Sequence, residues 1–231
     1  MIRFEHTNVM NIENAIRGMR NPLESWDKSD SYSTHVENPQ TGNVGAFQFF
    51  LGDADLALAR KLAAAGSDHR KFLRQIFVSV DITAPLYWWK EYDTYKVGTV
   101  ANSTSTMHKI HAKAFTLDDF SHEHLTFKWD DETQLVGYEE YSNAPGDVLD
   151  WIIDVLNHYR EMFLNTSDKK YWWNMIQLLP SSYNQTRTCT MNYENIMNMY
   201  RARHEHKLTE WREFCAWAAE LMYFRAICLG E

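Results

Sequence analysis

Three kinds of side chain in this sequence have the types and spacing to do chemistry: histidines in close pairs, a run of hydroxyls and amides, and a late group of cations. Ten histidines are present, and six of them fall in pairs, His108/His111, His122/His124 and His204/His206. Imidazoles three residues apart share one face of a helix, and imidazoles two apart share one face of a strand, so each pair could offer two ligands to a metal ion. Both of the closer pairs read His-Glu-His, no His-Glu-x-x-His is present, and spacing fixes no third ligand. Solvated or hydrogen-bonded imidazoles account for the same residues, and no metal is expected.

The tract Thr99–Thr106, TVANSTST, can bind a phosphate or a pyrimidine edge through hydroxyls and amides alone. The same residue types also favour loops and helix caps. Further on, Arg201, Arg203, His204, His206, Lys207 and Arg212 crowd a helix–helix junction. Guanidinium groups beside a helix N-terminus can hold a phosphate; partnered by Glu205 and Glu210, they would form a solvated charged face instead. No Gly-x-Ser-x-Gly, Gly-x-Gly-x-x-Gly or Gly-x-x-x-x-Gly-Lys-[Ser/Thr] occurs, which removes the serine-hydrolase elbow and the standard nucleotide cradles. Cys189, Cys215 and Cys228 are odd in number and widely spaced, so they read as reduced, buried thiols and not as a disulfide framework or a zinc ribbon.

A net charge of −8 excludes diffuse nucleic-acid binding, which needs a cationic surface, but a few local cations still suffice for a small anionic ligand. The opening MIRFEHTNVMNIENAIRG has no signal-peptide core, and no window approaches the roughly 18 apolar residues of a membrane span, so a soluble, cytoplasmic protein with no membrane partner is expected. Nine Trp point to a large core or a subunit interface.

These groups need a scaffold. Residues 2–8 read as a strand and 11–20 as a helix, with Asn11 as cap and Ile12, Ala15, Ile16 and Met19 on one face. Pro22, Pro39, Gly42 and Gly45 make 21–47 a loop, and the Ala- and Leu-rich Asp53–Ala65 forms a helix ended by Gly66. Alternation over Phe72–Thr83 predicts a strand; Ala84-Pro85 then opens a helix that Gly98 stops. Residues 99–145 carry no clear period. Val148, Trp151, Ile152, Val155, Leu156, Tyr159, Met162 and Phe163 recur at helical spacing and predict an amphipathic helix over 146–165. A strand over 184–192 and helices over 193–203 and 207–228 complete a single α+β domain, 1–231, without repeat or linker.

Taken in order, these pieces resemble the flavin-dependent thymidylate synthases over roughly residues 60–230. That family has a Gly-His turn, a strand, an Ala-Pro, and then Arg-Gln-x-x-Arg-His-Arg-x-x-Ser-x-Asn-Glu-x-Ser-x-Arg-Tyr. Here His69 follows Asp68 at the turn, Ala84-Pro85 keeps its place, and the signature is rewritten. Lys90-Glu91 stands for Arg-Gln, Thr94-Tyr95-Lys96 for Arg-His-Arg, Thr99 for the first Ser and Ala101-Asn102 for Asn-Glu. Thr104 stands for the second Ser and Thr106-Met107 for Arg-Tyr. Leu179-Pro180 and Asn192 match in place; His206, Glu210 and Arg212 fall on the last motif, and Arg203, or Arg201 with a shifted gap, on the arginine before it.

The resemblance implies an α+β fold, a mostly antiparallel sheet flanked by several helices, assembled as a homotetramer. It implies FAD reduced by NADPH, and methylation of dUMP to dTMP with methylenetetrahydrofolate. It assigns the flavin pocket to His69, Lys96, Thr99, Asn102, Asn192 and His206. It assigns the nucleotide to Glu91, Thr104, Thr106 and Arg203, with Arg203 catalytic through charge stabilisation. The arginine replaced by Thr106 is one that grips the substrate phosphate, a position from which Lys109 or His108 would have to compensate. The rewritten signature leaves a second implication open: a diverged relative that keeps the fold and binds flavin or nucleotide, or serves a structural role, without the reaction.

Overall fold

The computed structural model describes residues 2–37, 44–126 and 144–231. In chain order its elements are β1 (Arg3–Met10), α1 (Ile12–Gly18), β2 (Tyr32–Glu37), β3 (Val44–Phe50), α2 (Asp53–Ala64), β4 (Phe77–Pro85), α3 (Leu86–Tyr92) and β5 (Val100–Ser103). Then come α4 (Pro145–Thr166), α5 (Lys169–Leu178), β6 (Asn184–Asn192), α6 (Tyr193–Arg203) and α7 (Thr209–Ala219). One sheet has the strand order β1-β4-β6-β5, and β2 and β3 form a separate antiparallel hairpin in which Tyr32 pairs with Phe50 and His35 with Phe47. The α+β class with antiparallel sheet and flanking helices is the one expected. Among the described residues no helix is long and apolar enough to cross a membrane.

The chain divides into two compact units. The first comprises Met1–Arg3, Ile82–Thr94 and Asn102–Arg187; the second comprises Phe4–Asp81, Tyr95–Ala101 and Thr188–Glu231. In the first, α4 and α5 enclose a core of Phe115, Phe120, Leu149, Ile153, Leu156 and Met175. Burying each such side chain contributes about 1.5–3 kcal/mol. The helix over 146–165 is present; of its expected face Ile152, Leu156, Tyr159 and Phe163 pack on the core beside Leu149 and Ile153, whereas Val148 and Trp151 face outward. Helix α5 was not anticipated; Asp168 starts it by accepting from the Lys170 N–H at 3.0 Å.

In the second unit the expected loop over 21–47 is instead two short 3-10 turns followed by the β2–β3 hairpin. Stacking of Tyr32 on Phe50 supplies the cross-strand pairing that the intervening Pro and Gly had masked. Helix α2 is anchored from outside: the Asp30 carboxylate accepts from the Ala54 and Asp55 N–H groups at 2.8 and 3.0 Å. A Cβ at Gly52 would lie 2.2 Å from Asp30 Cγ, so glycine is required there by close approach. Asn11 stands at the N-cap of α1 but does not cap with its side chain; its Nδ2 donates to Gln75 O at 2.9 Å. The strand expected over 72–83 begins only at Phe77, after a 3-10 turn that buries Phe72 and Leu73. The last helix ends at Ala219, not 228. Tyr223 takes a left-handed φ of 58°, which places its hydroxyl between Leu51 N–H and Phe49 O, and a π turn at Arg225–Leu229 follows.

Candidate functional site

Strand β6 hands over to α6 at Asn192, and this junction organises one group of predicted residues in the second unit. Asn192 Oδ1 accepts from Asn195 N–H at 2.9 Å while Asn195 Oδ1 accepts from Asn192 N–H at 3.2 Å, a reciprocal capping box. Asn195 Nδ2 then donates to Val97 O at 2.7 Å and ties down the loop that carries Tyr95 and Lys96. Gly98 turns that loop at φ 80°, and a Cβ there would lie 2.9 Å from Asn195 Oδ1 and 3.0 Å from Asn192 Nδ2. Both the left-handed backbone and the crowding oppose a side chain. Gly98→Ala is therefore expected to lower the unfolding free energy by about 1–2 kcal/mol or more, read as a shift in urea midpoint.

The loop brings Tyr95 to the far end of α6. Arg203 Nε donates to Tyr95 Oη at 2.9 Å, and the guanidinium lies 4.9 Å from the centre of the buried Trp211 ring. Tyr95 meets Trp211 edge-on at 6.0 Å, and the His206 ring approaches Trp211 at 6.4 Å. A hydrogen bond at Nε and an aromatic face together fix the plane and roll of the guanidinium. His206 Nδ1 accepts from Leu208 N–H at 3.2 Å. Arg212 donates to the His206 and Lys207 carbonyls at 2.8 and 3.1 Å, which makes it a brace for the α6–α7 turn. Lys96 is exposed on the same loop, and Thr99 Oγ1 donates back to Tyr95 O at 2.6 Å. The predicted Arg203 and His206 thus share one cluster with Tyr95 and Trp211, which residue type did not single out.

His69 belongs to a different place in the second unit. The turn after α2 reverses at Gly66, whose carbonyl accepts from the His69 and Arg70 N–H groups at 3.1 Å. His69 lines a cavity of about 480 Å³ with Gly18, Leu23, Leu62, Phe72 and Gln75. At Gly18 a Cβ would stand 3.3 Å from Gln75 Oε1, so the absence of a side chain keeps that wall open.

The remaining predicted residues lie in the first unit. Thr104 continues β5 by donating its N–H to Thr186 O at 2.9 Å, and its carbonyl accepts from Gln185 Nε2 at 2.7 Å. It lines a polar cavity of about 520 Å³ with Arg3, Thr83, Ser105, Lys109 and Thr186. Glu91 is half-buried on α3, Asn102 is exposed on β5 and Thr106 is half-buried in the following turn; none of the three lines that cavity.

Cys189, Cys215 and Cys228 are buried and none is in a disulfide. Burial pushes the Cys215 thiol up to about 11 and the Cys228 thiol up to about 12, so neither supplies a thiolate nucleophile near neutral pH. Among the described residues no group of three or more His, Cys, Asp or Glu is placed to hold a metal ion.

No protein-family model and no curated protein sequence matches the chain. Solved structures do. The crystal structure of thymidylate synthase X from Helicobacter pylori with FAD and dUMP aligns at a TM-score of 0.62 and 13% identity, covering 98% of this chain and 96% of that one. A second structure of the flavin-dependent thymidylate synthase from Helicobacter pylori, complexed with FAD and dUMP, aligns at 0.64 and 14%, covering 98% and 97%. At such identities the likeness is one of fold, and it extends over nearly the whole of both chains.

Proposed function

We propose that this chain is a flavin-dependent thymidylate synthase-like enzyme that methylates dUMP to dTMP with FAD, using NADPH and methylenetetrahydrofolate as co-substrates and working as a cytoplasmic homotetramer. The observation that carries the reading is Arg203, held by Tyr95 and Trp211, on a fold matched along 98% of the chain by an enzyme solved with FAD and dUMP. A guanidinium fixed in plane on an aromatic wall stabilises negative charge on a uracil ring or a phosphate without reorganising.

The second-unit cavity fits a flat heteroaromatic body. Leu23, Leu62 and Phe72 give apolar walls, and His69, Asn21 and Gln75 give hydrogen-bonding edges. Flavin bound there supplies hydride chemistry; the chain's own residues bind and orient. His69 and Gln75 face the polar rim of such a ring, Lys96 and His206 belong to its surroundings in this reading, and Thr104, Thr106 and Glu91 to those of the nucleotide.

One observation favours a second reading, in which the fold and its ligands persist without turnover. The Thr99 hydroxyl is committed to Tyr95 O, and Asn192 is committed to a helix cap, so two residues assigned to the flavin pocket serve the backbone. Absorbance and turnover separate the readings. Purified wild-type protein is expected to carry or take up FAD, with a visible band in the blue, and His69→Ala to weaken that uptake about tenfold. A coloured protein that never converts dUMP supports the second reading, and a protein that takes up no FAD removes both.

A further inference from the structure

The second unit holds another cavity, of about 200 Å³, which shares no lining residue with the one that His69 lines. Helix α1 supplies Glu13 and Arg17 to it, Arg20 follows, and Trp26, Tyr32 and Phe49 wall it. Arg20 is the unusual member. It is buried, yet only two of its three guanidinium nitrogens are engaged: Nε donates to Asp55 Oδ1 at 2.5 Å, and Nη1 to the Ser25 carbonyl and hydroxyl at 3.3 and 3.4 Å. Among the described residues Nη2 makes no hydrogen bond. Nor is it one of the polar atoms sealed from solvent without a partner, so its N–H groups open onto the one space this side chain lines. Buried donors without an acceptor are costly, and an acceptor seated in the cavity removes that cost.

The charges around Nη2 limit what the acceptor can be. Arg17 lies one turn after Glu13 on α1 and is exposed at the rim; among the described residues its guanidinium has no ion pair or hydrogen bond. Asp55 already offsets Arg20, and Glu13 stands against Arg17, so the surroundings favour one added negative charge over two. The other walls are aromatic and held in place. Trp26 Nε1 donates to Asn21 Oδ1 at 2.9 Å, Tyr32 stacks on Phe50 at 5.2 Å, and the buried Phe49 meets the Tyr223 ring edge-on at 6.2 Å. Rings fixed from behind suit a flat apolar body. A volume of about 200 Å³ admits a single ring and excludes a flavin or a nucleotide.

We propose that this cavity binds a single-ring aromatic monocarboxylate, whose oxygens accept from Arg20 Nη2 and from Arg17 and whose ring lies among Trp26, Tyr32 and Phe49. The buried nitrogen gives the charge-assisted bond, the exposed guanidinium draws the anion in, and the aromatic walls select a flat body. Aromatic walls alone would also suit an organic cation, but two guanidinium groups at the same cavity oppose one. The inference goes beyond the flavin and nucleotide reading and does not rest on it.

Ligand-observed fluorine NMR of the full chain with 4-fluorobenzoate tests this. Binding is expected with a Kd of about 1 mM or tighter, with displacement by benzoate. Benzamide and benzylamine are expected to compete at least about tenfold less well, since one lacks the charge and the other reverses it. Affinity is expected to fall about threefold to tenfold in Arg17→Gln and about tenfold in Trp26→Leu. Both positions are exposed, so thermal midpoints are expected to match the wild type. His69→Ala is expected to leave 4-fluorobenzoate binding unmoved, which separates this cavity from the one assigned to flavin. The proposal is overturned if 4-fluorobenzoate does not bind, if it keeps its affinity in either folded variant, if benzamide or benzylamine competes as well as benzoate, or if His69→Ala abolishes binding.

Discussion

Asp55→Ala is expected to lower the unfolding free energy by about 3–5 kcal/mol, the usual cost of stranding one partner of a buried ion pair. Asp55 is fully buried, and its carboxylate accepts five hydrogen bonds. They come from Arg20 Nε at 2.5 Å, the Ser29 and Ser31 hydroxyls at 2.7 and 2.6 Å, and the Asp30 and Ser31 N–H groups at 3.2 and 3.1 Å. Arg20 is 4% exposed, and without Asp55 it keeps only long bonds to the Ser25 carbonyl and hydroxyl at 3.3 and 3.4 Å. Removing the carboxylate thus leaves a buried guanidinium underpaired and unties residues 29–31 from the first turn of α2.

The pH dependence of that loss has a definite sign. Burial works against ionisation of Asp55, but the Ser31, Ser29 and Arg20 donors outweigh it and hold the carboxyl below its ordinary range. A depressed carboxylate contributes stability that is fully present above the unfolded pKa of about 3.9 and is lost as pH falls through the folded value. Urea titrations are therefore expected to separate wild type from Asp55→Ala widely at pH 7 and progressively less below pH 4. Coincident midpoints at pH 7 would show that the network does not hold the unit together.

Local signals marked the segments whose boundaries are set by local chemistry. The β6–α6 junction was legible because Asn192 both ends an alternating strand and caps the helix after it. Helix α4 was legible as a helix with much of its inward face, but Val148 and Trp151 satisfy the same period as Leu149 and Ile153 and only packing decides between them. The last helix was overextended because Ala, Leu, Met and Phe continue to favour helix past Ala219. A tertiary demand, the Tyr223 hydroxyl reaching back to Phe49 and Leu51, overrides that propensity. The hairpin was hidden because Pro and Gly, spread over 21–47, outweighed the alternating pattern of Tyr32–Glu37 and Val44–Phe50.

The site follows the same division. Arg203 and His206 sit in a recognisable order along the chain. Tyr95 reaches Arg203 across 108 residues, and Arg3 shares a cavity with Lys109, so neither could be ranked above its neighbours from residue type alone. Thr99 and Asn192 also carry backbone duties that their place in the motif does not reveal. Their positions fit a motif, but in this chain the Thr99 hydroxyl bonds a backbone carbonyl and the Asn192 amide oxygen caps α6.

Arg203→Ala is expected to weaken dUMP binding roughly 10–150-fold, the range set by losing one charge-assisted hydrogen bond of about 1.5–3 kcal/mol. Alanine removes three things together: the charge, the planar fork, and the cation stacked on Trp211. Comparison with two gentler variants separates them. Arg203→Lys keeps the charge and loses the fork, so it is expected to recover only part of the affinity. Tyr95→Phe keeps the guanidinium and the ring but removes the acceptor of the Nε–H bond, so its loss is expected to be smaller than that of alanine. It is also expected to show chiefly in turnover, because an arginine free to roll still attracts the nucleotide but presents its donors less often in the productive plane. An order of Ala, then Lys, then Phe in severity, with thermal midpoints near wild type, identifies Arg203 as an anion-holding group whose aim is set by Tyr95. Unaltered dUMP affinity in folded Arg203→Ala removes it from the site, and the Arg203–Tyr95–Trp211 stack then belongs to the packing of the α6–α7 turn alone.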